Sequence, residues 1–233
     1  MIHKIFISRK NKNKTTQYFL MFFMIVLSLY TTINQNNNNR RVFFPNFISE
    51  VRAQETDINK QQTEKIRAIK KAAKGFFTHI RFADTPYDMN QLSFKDIEGE
   101  DHNLSEFRGK PILVNLWAVW CAPCRAEMPE LARLKRDMGG NNFDVIAINV
   151  DKNTSAEKIQ KFLNDAHADN LVYYRDNTMN IFQDIRKKGL ALGLPITFLI
   201  SKDGYLIASF NGAAPWADDD AKALIKAVIE ENL

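Results

Sequence analysis

The chain of 233 residues contains only two cysteines, and they form a Cys-x-x-Cys pair, Cys121 and Cys124. A continuous apolar run at 111–118 precedes the pair and predicts a buried strand, and a helical pattern starts at Arg125. The pair is therefore expected where a strand ends and a helix begins. This junction constrains the fold strongly, because all thiol chemistry of the chain must occur there and no further cysteine is present to form a structural disulfide.

A helix N-terminus at the cysteine pair favours a thiolate, because unpaired N–H groups and the positive end of the helix dipole meet at that point. A thiolate at Cys121 is the nucleophile that thiol–disulfide exchange requires. Cys124 lies one helical turn further on and is placed to attack the mixed disulfide that Cys121 forms. The spacing predicts a two-cysteine redox cycle, in which attack is followed by resolution.

The formal net charge of +5 is unevenly distributed along the chain. Residues 1–52 hold eight basic residues and one acidic residue, which leaves 24 of the 32 basic and 26 of the 27 acidic residues to 53–233. The body of the chain is therefore nearly neutral. A nucleic-acid-binding role has little support, since such a role requires a basic patch on the folded domain.

An apolar stretch at 18–33 follows five basic residues and precedes a polar run, 34–39. Its length is close to the ~20 residues that a membrane-spanning helix needs. A cleaved signal peptide is the alternative, but the small residues at 51–53 lie too far beyond the apolar stretch. We expect an uncleaved signal anchor in the inner membrane, with the basic segment 1–17 in the cytoplasm by the positive-inside rule and the remainder in the periplasm.

The exported part is predicted to divide into a linker, 34–91, and a globular domain, 92–233. The linker contains one helix at 57–75 that ends at Gly75. This helix carries Ile66, Ile69 and Ala73 on one stripe, and we interpret it as a solvated spacer.

Strand and helix patterns alternate within the predicted domain. The expected strands are 92–97, 111–118, 143–150, 171–174, 196–200 and 205–210, and the expected helices are 122–138, 154–166, 178–187 and 218–230. A capping box opens the second of these helices, and a turn signal joins the last two strands as a hairpin. This order predicts an α/β fold with a mixed sheet.

Several short motifs resemble those of a known family. The stretch 117–124, with its Trp-Ala-x-Trp-Cys-x-Pro-Cys pattern, resembles the active site of the thioredoxin fold. Together with the motifs at 107–111, 124–129, 193–197 and 212–217, it is similar to the TlpA group of membrane-anchored periplasmic thiol–disulfide oxidoreductases. The resemblance covers roughly 76–233 and implies a thioredoxin-like fold, in which helices flank a central mixed β-sheet, here with an N-terminal membrane anchor.

The resemblance also implies roles for single residues. Cys121 would be the attacking cysteine, Cys124 the resolving cysteine, and Pro195 the cis-proline beside the disulfide. Such a proline turns the preceding backbone towards the substrate. The implied substrate contacts are Trp120, Pro123 and Leu194. Trp117 is expected to belong to the core.

Glu127 resembles the acidic residue that related reductases place near the cysteine pair, and it would exchange the proton of the resolving thiol. The alternative is an exposed glutamate that the helix dipole favours in the first turn. Thioredoxin itself has a buried aspartate six residues before the first cysteine, whereas this chain has Asn115, which cannot titrate. Proton exchange would then depend on Glu127, water or the substrate, and a narrow set of clients is expected.

The family resemblance implies reduction of client cysteine pairs in the periplasm. The implied clients are copper-delivery proteins and the copper-site subunit of cytochrome oxidase, with apocytochrome c as a second possibility. A membrane thiol transporter would supply the electrons. No cofactor is implied, because sulfur carries the electrons.

Two other classes of function compete with this interpretation. The first is a Cu(I)-binding metallochaperone module with Cys121 and Cys124 as ligands; the histidines His3, His79, His102 and His167 show no ligand spacing to this pair, and structural zinc usually takes four ligands. The second is a non-enzymatic membrane scaffold, against which the intact cysteines and Pro195 argue.

Overall fold

A mixed sheet of eight strands runs through residues 63–233, the part of the chain that the computed structural model describes. The strands lie in the order β1-β8-β7-β4-β5-β6-β2-β3. They are β1 (Arg81–Phe82), β2 (Ser93–Lys95), β3 (Asp101–Asn103), β4 (Ile112–Trp117), β5 (Asp144–Asn149), β6 (Tyr174–Arg175), β7 (Ile196–Ile200) and β8 (Leu206–Asn211). The predicted mixed sheet is therefore present.

Five α-helices accompany the sheet in the described residues. They are α1 (63–72), α2 (Ala122–Met138), α3 (Ala156–Asp165), α4 (Asn180–Lys187) and α5 (Asp219–Glu230). Two short 3-10 helices lie at Gly75–His79 and Leu104–Phe107. Within 63–233, no helix has both the length and the apolar character needed to cross a membrane. The predicted anchor at 18–33 and the segment 1–17 lie outside the described residues.

The central strand β4 explains the apolar run before the cysteines. It pairs in parallel with β5 and antiparallel with β7, and all six of its residues are buried. A strand that is covered on both faces needs apolar side chains on both faces, so its sequence is a continuous apolar run. Leu113 packs with α2, α3 and α5 on one face, and Val114 packs with α4 on the other. The alternation of a strand thus divides the core into two layers.

The folded unit begins before Leu92, so the predicted boundary between linker and domain is wrong. Ile69 of α1 and Phe77 are fully buried in the core beside α2 and α5, and β1 pairs with β8. The helix that was interpreted as a solvated spacer therefore covers the domain with its apolar stripe. The stripe was visible in the sequence, but the surface that it covers was not.

The short elements differ most from the sequence prediction. The strand expected at 171–174 is reduced to β6, which begins at Tyr174, and β1 and β3 were missed. These strands have two or three residues, which is too short for an alternating pattern to stand out. Helix α4 starts at Asn180 rather than 178, because the Asp176 carboxylate accepts hydrogen bonds from the backbone N–H groups of Thr178 and Ile181.

Candidate active site

The two cysteines lie at the predicted junction and form a disulfide with an S–S distance of 2.06 Å. Cys121 is the N-cap residue of α2, and its Sγ accepts a hydrogen bond from the backbone N–H of Cys124 at 3.3 Å. Cys121 is 5% exposed, whereas Cys124 is fully buried. Cys121 is thus the more accessible of the two residues, although both are buried.

Exposed apolar and small side chains flank the disulfide in the sequence. Trp120 is 64% exposed, and Ala122 and Pro123 are also exposed. Trp117 is buried and packs on Phe162, with 5.4 Å between ring centroids, which confirms its place in the core. The chain therefore turns from core to surface and back within the few residues before α2.

The Leu194–Pro195 peptide bond is cis, as the family resemblance implied. It directly precedes β7, in which Ile196 pairs with Leu116 of β4. This register places the cis bond beside the carboxyl end of β4, where the chain leaves the sheet towards Cys121. The sheet thereby brings together two motifs that are far apart in the sequence. Leu194 is partly buried and packs against both layers of the core.

Glu127 is buried, at 2% exposure, so its alternative interpretation as an exposed first-turn glutamate is wrong. Its carboxylate accepts hydrogen bonds from Asn115 Nδ2 at 3.1 Å, from the backbone N–H of Ala214 at 3.2 Å and from the indole N–H of Trp216. Burial raises the pKa of Glu127 to about 7, against the lowering effect of these three hydrogen bonds. The three donors are neutral, so they offset only part of the desolvation.

Asn115 connects this carboxyl group to the sheet. It is fully buried on β4, and its Nδ2 donates to Glu127 and, at 2.9 Å, to Thr197 Oγ1 on β7. The titratable group near the cysteines is thus on helix α2 instead of on the strand. Neither the contacts of Ala214 and Trp216 with Glu127 nor the contact of Thr197 with Asn115 was predicted from the sequence. The only signal for them was the family motif at 193–197 and 212–217.

The histidines lie apart from this arrangement. His102 forms hydrogen bonds with Glu106 and Asp96, and His79 is exposed. Across 63–233, no group of three or more His, Cys, Asp or Glu side chains is arranged to hold a metal ion. His3 lies outside the described residues.

Comparison with known proteins gives matches to both sequences and structures. The Redoxin family model matches residues 84–225. Thioredoxin-like protein YneN of Bacillus subtilis is 35% identical over 120 residues, which are 49% of this chain and 64% of that protein. Thiol-disulfide oxidoreductase ResA of Geobacillus thermodenitrificans is 31% identical over 135 residues, 55% of this chain and 70% of that protein.

Two solved structures have a fold similar to that of this chain. A thioredoxin-family thiol:disulfide interchange protein from Chlorobium tepidum superposes with a TM-score of 0.51 at 20% identity, over 63% of this chain and 99% of its own. The thioredoxin domain of a thiol-disulfide oxidoreductase from Bacteroides vulgatus gives the same TM-score, identity and coverage. The predicted thioredoxin-like α/β fold is confirmed. With its disulfide at the start of α2 and its match to the family model, this chain belongs to the Redoxin family and is a thiol–disulfide oxidoreductase.

Proposed function

We propose that this protein is a TlpA-type reductase of the periplasm, held in the inner membrane by 18–33, that reduces cysteine pairs in client proteins. The observation that carries the proposal is the buried carboxyl group of Glu127. It lies one helical turn after Cys124, and its pKa of about 7 lets it accept and return a proton near neutral pH. A resolving thiol that is fully buried needs such a group, because water has little access to it.

The first step takes place at Cys121, the more exposed of the two cysteine residues. Its thiolate attacks one sulfur of the client disulfide and forms a mixed disulfide. The other client sulfur leaves as a thiolate and takes up a proton from water. The hydrogen bond from the backbone N–H of Cys124 to Cys121 Sγ supports the thiolate before the attack.

The second step uses the buried pair. The Cys124 thiol gives its proton to the Glu127 carboxylate, and the resulting thiolate attacks Cys121 Sγ. The Cys121–Cys124 disulfide forms, and the second client sulfur leaves and receives a proton from Glu127. Two electrons have then passed to the client, and a dithiol in the membrane must return two electrons to this protein before the next cycle.

Client recognition is expected at the exposed rim of the site. Trp120 and Leu192 are exposed large apolar side chains, and Leu192 lies in the loop that leads to the cis-proline. An extended client segment can pack on such groups while its disulfide approaches Cys121. We propose clients whose cysteines must be free to bind metal or haem: copper-delivery proteins, the copper-site subunit of cytochrome oxidase, or apocytochrome c.

The proposal is tested by trapping the client. The full-length Cys124→Ser variant is expected to accumulate mixed disulfides through Cys121, because attack proceeds and resolution does not. Cys121→Ser is the matched control and should trap nothing. Adducts are identified on non-reducing gels by mass spectrometry. Absence of adducts combined with one equivalent of bound copper would contradict the proposal and favour the Cu(I)-binding alternative.

The direction of electron flow has a separate test. Two-cysteine proteins of this fold span about −270 to −120 mV in reduction potential. Equilibration of the full-length protein with glutathione is expected to give a value in the lower half of that range. A value near the oxidising end would contradict the reductase direction while leaving the exchange chemistry intact.

A further inference from the structure

A second buried carboxylate lies beside the site and is not used in the steps above. Asp151 follows β5 and is 1% exposed. Its Oδ2 accepts two hydrogen bonds, from the backbone N–H of Val119 at 2.7 Å and from Asn149 Nδ2 at 2.9 Å. A buried charge is costly unless its hydrogen bonds are made, so this carboxylate must hold these two donors firmly.

One of the two donors belongs to the connection that leads into the active site. Val119 is the middle residue between Trp117, where β4 ends, and Cys121, where α2 is capped. The same connection is closed by a hydrogen bond from the backbone N–H of Cys121 to the carbonyl of Ala118 at 3.2 Å. A short hydrogen bond at its centre, from the Val119 N–H to Asp151 Oδ2, therefore restricts the backbone that sets the direction of the Cys121 side chain.

The loop that carries Asp151 is itself held by hydrogen bonds to the neighbouring strand β6. Arg175 on β6 donates through Nη2 to the carbonyl oxygens of Asp151 at 3.0 Å and Thr154 at 2.6 Å. Arg175 is in register with Asn149 on the neighbouring strand β5. The backbone of 151–154 is thus tied to the sheet, which gives the Asp151 carboxylate a rigid support.

We propose that Asp151 is a positioning residue for thiol–disulfide exchange, which holds the Val119 amide and thereby orients Cys121 towards the incoming disulfide. Two features of the site depend on this orientation. One is the approach of Cys121 Sγ to a client sulfur, for which a small displacement costs much rate. The other is the hydrogen bond from the N–H of Cys124 to Cys121 Sγ, which is present in the disulfide form and, if kept on reduction, would stabilise the Cys121 thiolate.

The test separates geometry from charge. Asp151→Asn keeps an acceptor in the same place and removes the charge, whereas Asp151→Glu keeps the charge and displaces the acceptor. The reduced full-length protein reacts with 5,5′-dithiobis(2-nitrobenzoic acid), and the second-order rate constant is followed from pH 5 to pH 10. Positioning predicts that Asp151→Asn stays within about threefold of the native rate, while Asp151→Glu loses about tenfold or more.

The pH midpoint of the reaction gives a second readout. Removal of a nearby negative charge alone would move the midpoint to lower pH, since a thiolate is then easier to form. Loss of the bond between the N–H of Cys124 and Cys121 Sγ moves it to higher pH. We expect the upward shift in Asp151→Glu and in Asp151→Ala. The proposal would be overturned by equal rate constants in the Asp151→Asn and Asp151→Glu variants. It would also be overturned if the pH midpoint moved to lower pH in both.

Asp176 provides the matched control. It is also buried, at 7% exposure, and its carboxylate accepts hydrogen bonds from the N–H of Thr178, which precedes α4, and from the N–H of Ile181 in the first turn of α4. Asp176→Asn and Asp176→Glu are expected to lower the unfolding temperature without changing the rate constant or its pH midpoint. If they slow the reaction as much as the Asp151 variants, loss of stability is the cause and the positioning role is excluded. If the Asp151→Ala variant does not fold, the comparison of the Asp151→Asn variant with the Asp151→Glu variant still tests the positioning role.

Discussion

Two glutamates in this protein, Glu127 and Glu106, have pKa shifts of opposite sign. Glu127 is buried on α2, three residues after Cys124, and receives hydrogen bonds from three neutral donors, yet its pKa is raised to about 7. Glu106 lies at the surface and accepts a hydrogen bond from His102 Nδ1 at 2.7 Å, and its pKa is lowered. The number of hydrogen bonds does not explain the difference. Burial opposes ionisation of Glu127, whereas an ionisable partner and solvent favour it in Glu106.

The difference separates a buried environment, which keeps a carboxyl group protonated at higher pH, from a surface environment that favours the ionised form. The surface group of Asp96, His102 and Glu106 joins β3 to the loop before it and to the 3-10 helix after it. With its pKa raised to about 7, the Glu127 carboxyl group has the acidity that the proposed proton exchange near neutral pH requires, whereas the lowered pKa of Glu106 keeps that surface carboxylate ionised.

The largest effect is expected from Glu127→Gln, which removes the proton acceptor of the resolving thiol. General acid–base groups contribute about 10²- to 10⁴-fold, and we expect the mixed disulfide with a model peptide to resolve at least ~100-fold more slowly at pH 7. Stopped-flow measurement of mixed-disulfide decay checks this. Glu106→Gln is the surface control and should leave the decay unchanged. A native rate in Glu127→Gln would mean that water or the client accepts the proton.

Stability should depend on pH through the same group. The native state binds the Glu127 proton more tightly than the unfolded state, so the free energy of unfolding falls as pH rises from about 4.5 through about 7. A shift of this size corresponds to about 3 kcal/mol across the window. Urea unfolding from pH 4.5 to 8 measures the decline. Glu127→Gln is expected to flatten the curve, and parallel curves for the variant and the native protein would contradict the assigned burial effect.

Trp216→Phe should produce a smaller, pH-dependent loss. The indole N–H stabilises the ionised form of Glu127, and a hydrogen bond to a charged group is worth about 1.5–3 kcal/mol. The variant is therefore expected to lose more stability at pH 8 than at pH 5, as urea midpoints would show. Trp117→Phe removes another buried indole, which packs on Phe162, and should cost the same at both pH values. An equal loss for Trp216→Phe at pH 5 and pH 8 would argue against the link to Glu127.

The smallest effect is expected at the surface group. The pKa of His102 is raised, chiefly by hydrogen bonds to Glu106 and Asp96, so its contribution to stability is present below pH 6.5 and is lost as pH rises through the raised value. His102→Gln should lower the unfolding temperature slightly at pH 5.5 and not at pH 9. The His102→Gln variant should carry out thiol–disulfide exchange at the same rate as the native protein. A slower exchange would show that the two groups are coupled.

The fold was largely predictable where its signals are local. The apolar run of β4, the cysteine pair at the start of α2 and the caps of α3 and α5 each lie within a few neighbouring residues. The start of the domain was not predictable in this way. The stripe on α1 could be recognised, but its burial against the core depends on helices that lie far along the chain.

The same distinction between local signals and contacts of distant residues applies to the candidate active site. Cys121 and Cys124 follow from the motif, and the cis bond at Pro195 followed from the family resemblance. The partners of Glu127 could not be predicted in this way. Trp216 is 89 positions away in the sequence, and no separate motif indicates this contact of its side chain. The same holds for the bond between Val119 and Asp151, which are 32 positions apart.

The sequence alone determined that the two sulfurs lie after a buried strand at the N-terminus of a helix, since a strand, a turn and a helix N-terminus are encoded by adjacent residues. Only the tertiary structure decided the pKa of Glu127 and the hydrogen bond that Asp151 accepts from the backbone N–H of Val119. Both depend on how much water is excluded and on which N–H groups face a carboxylate. Those quantities arise when strands β4, β5 and β7 and the loops after them come together, and no single segment contains them.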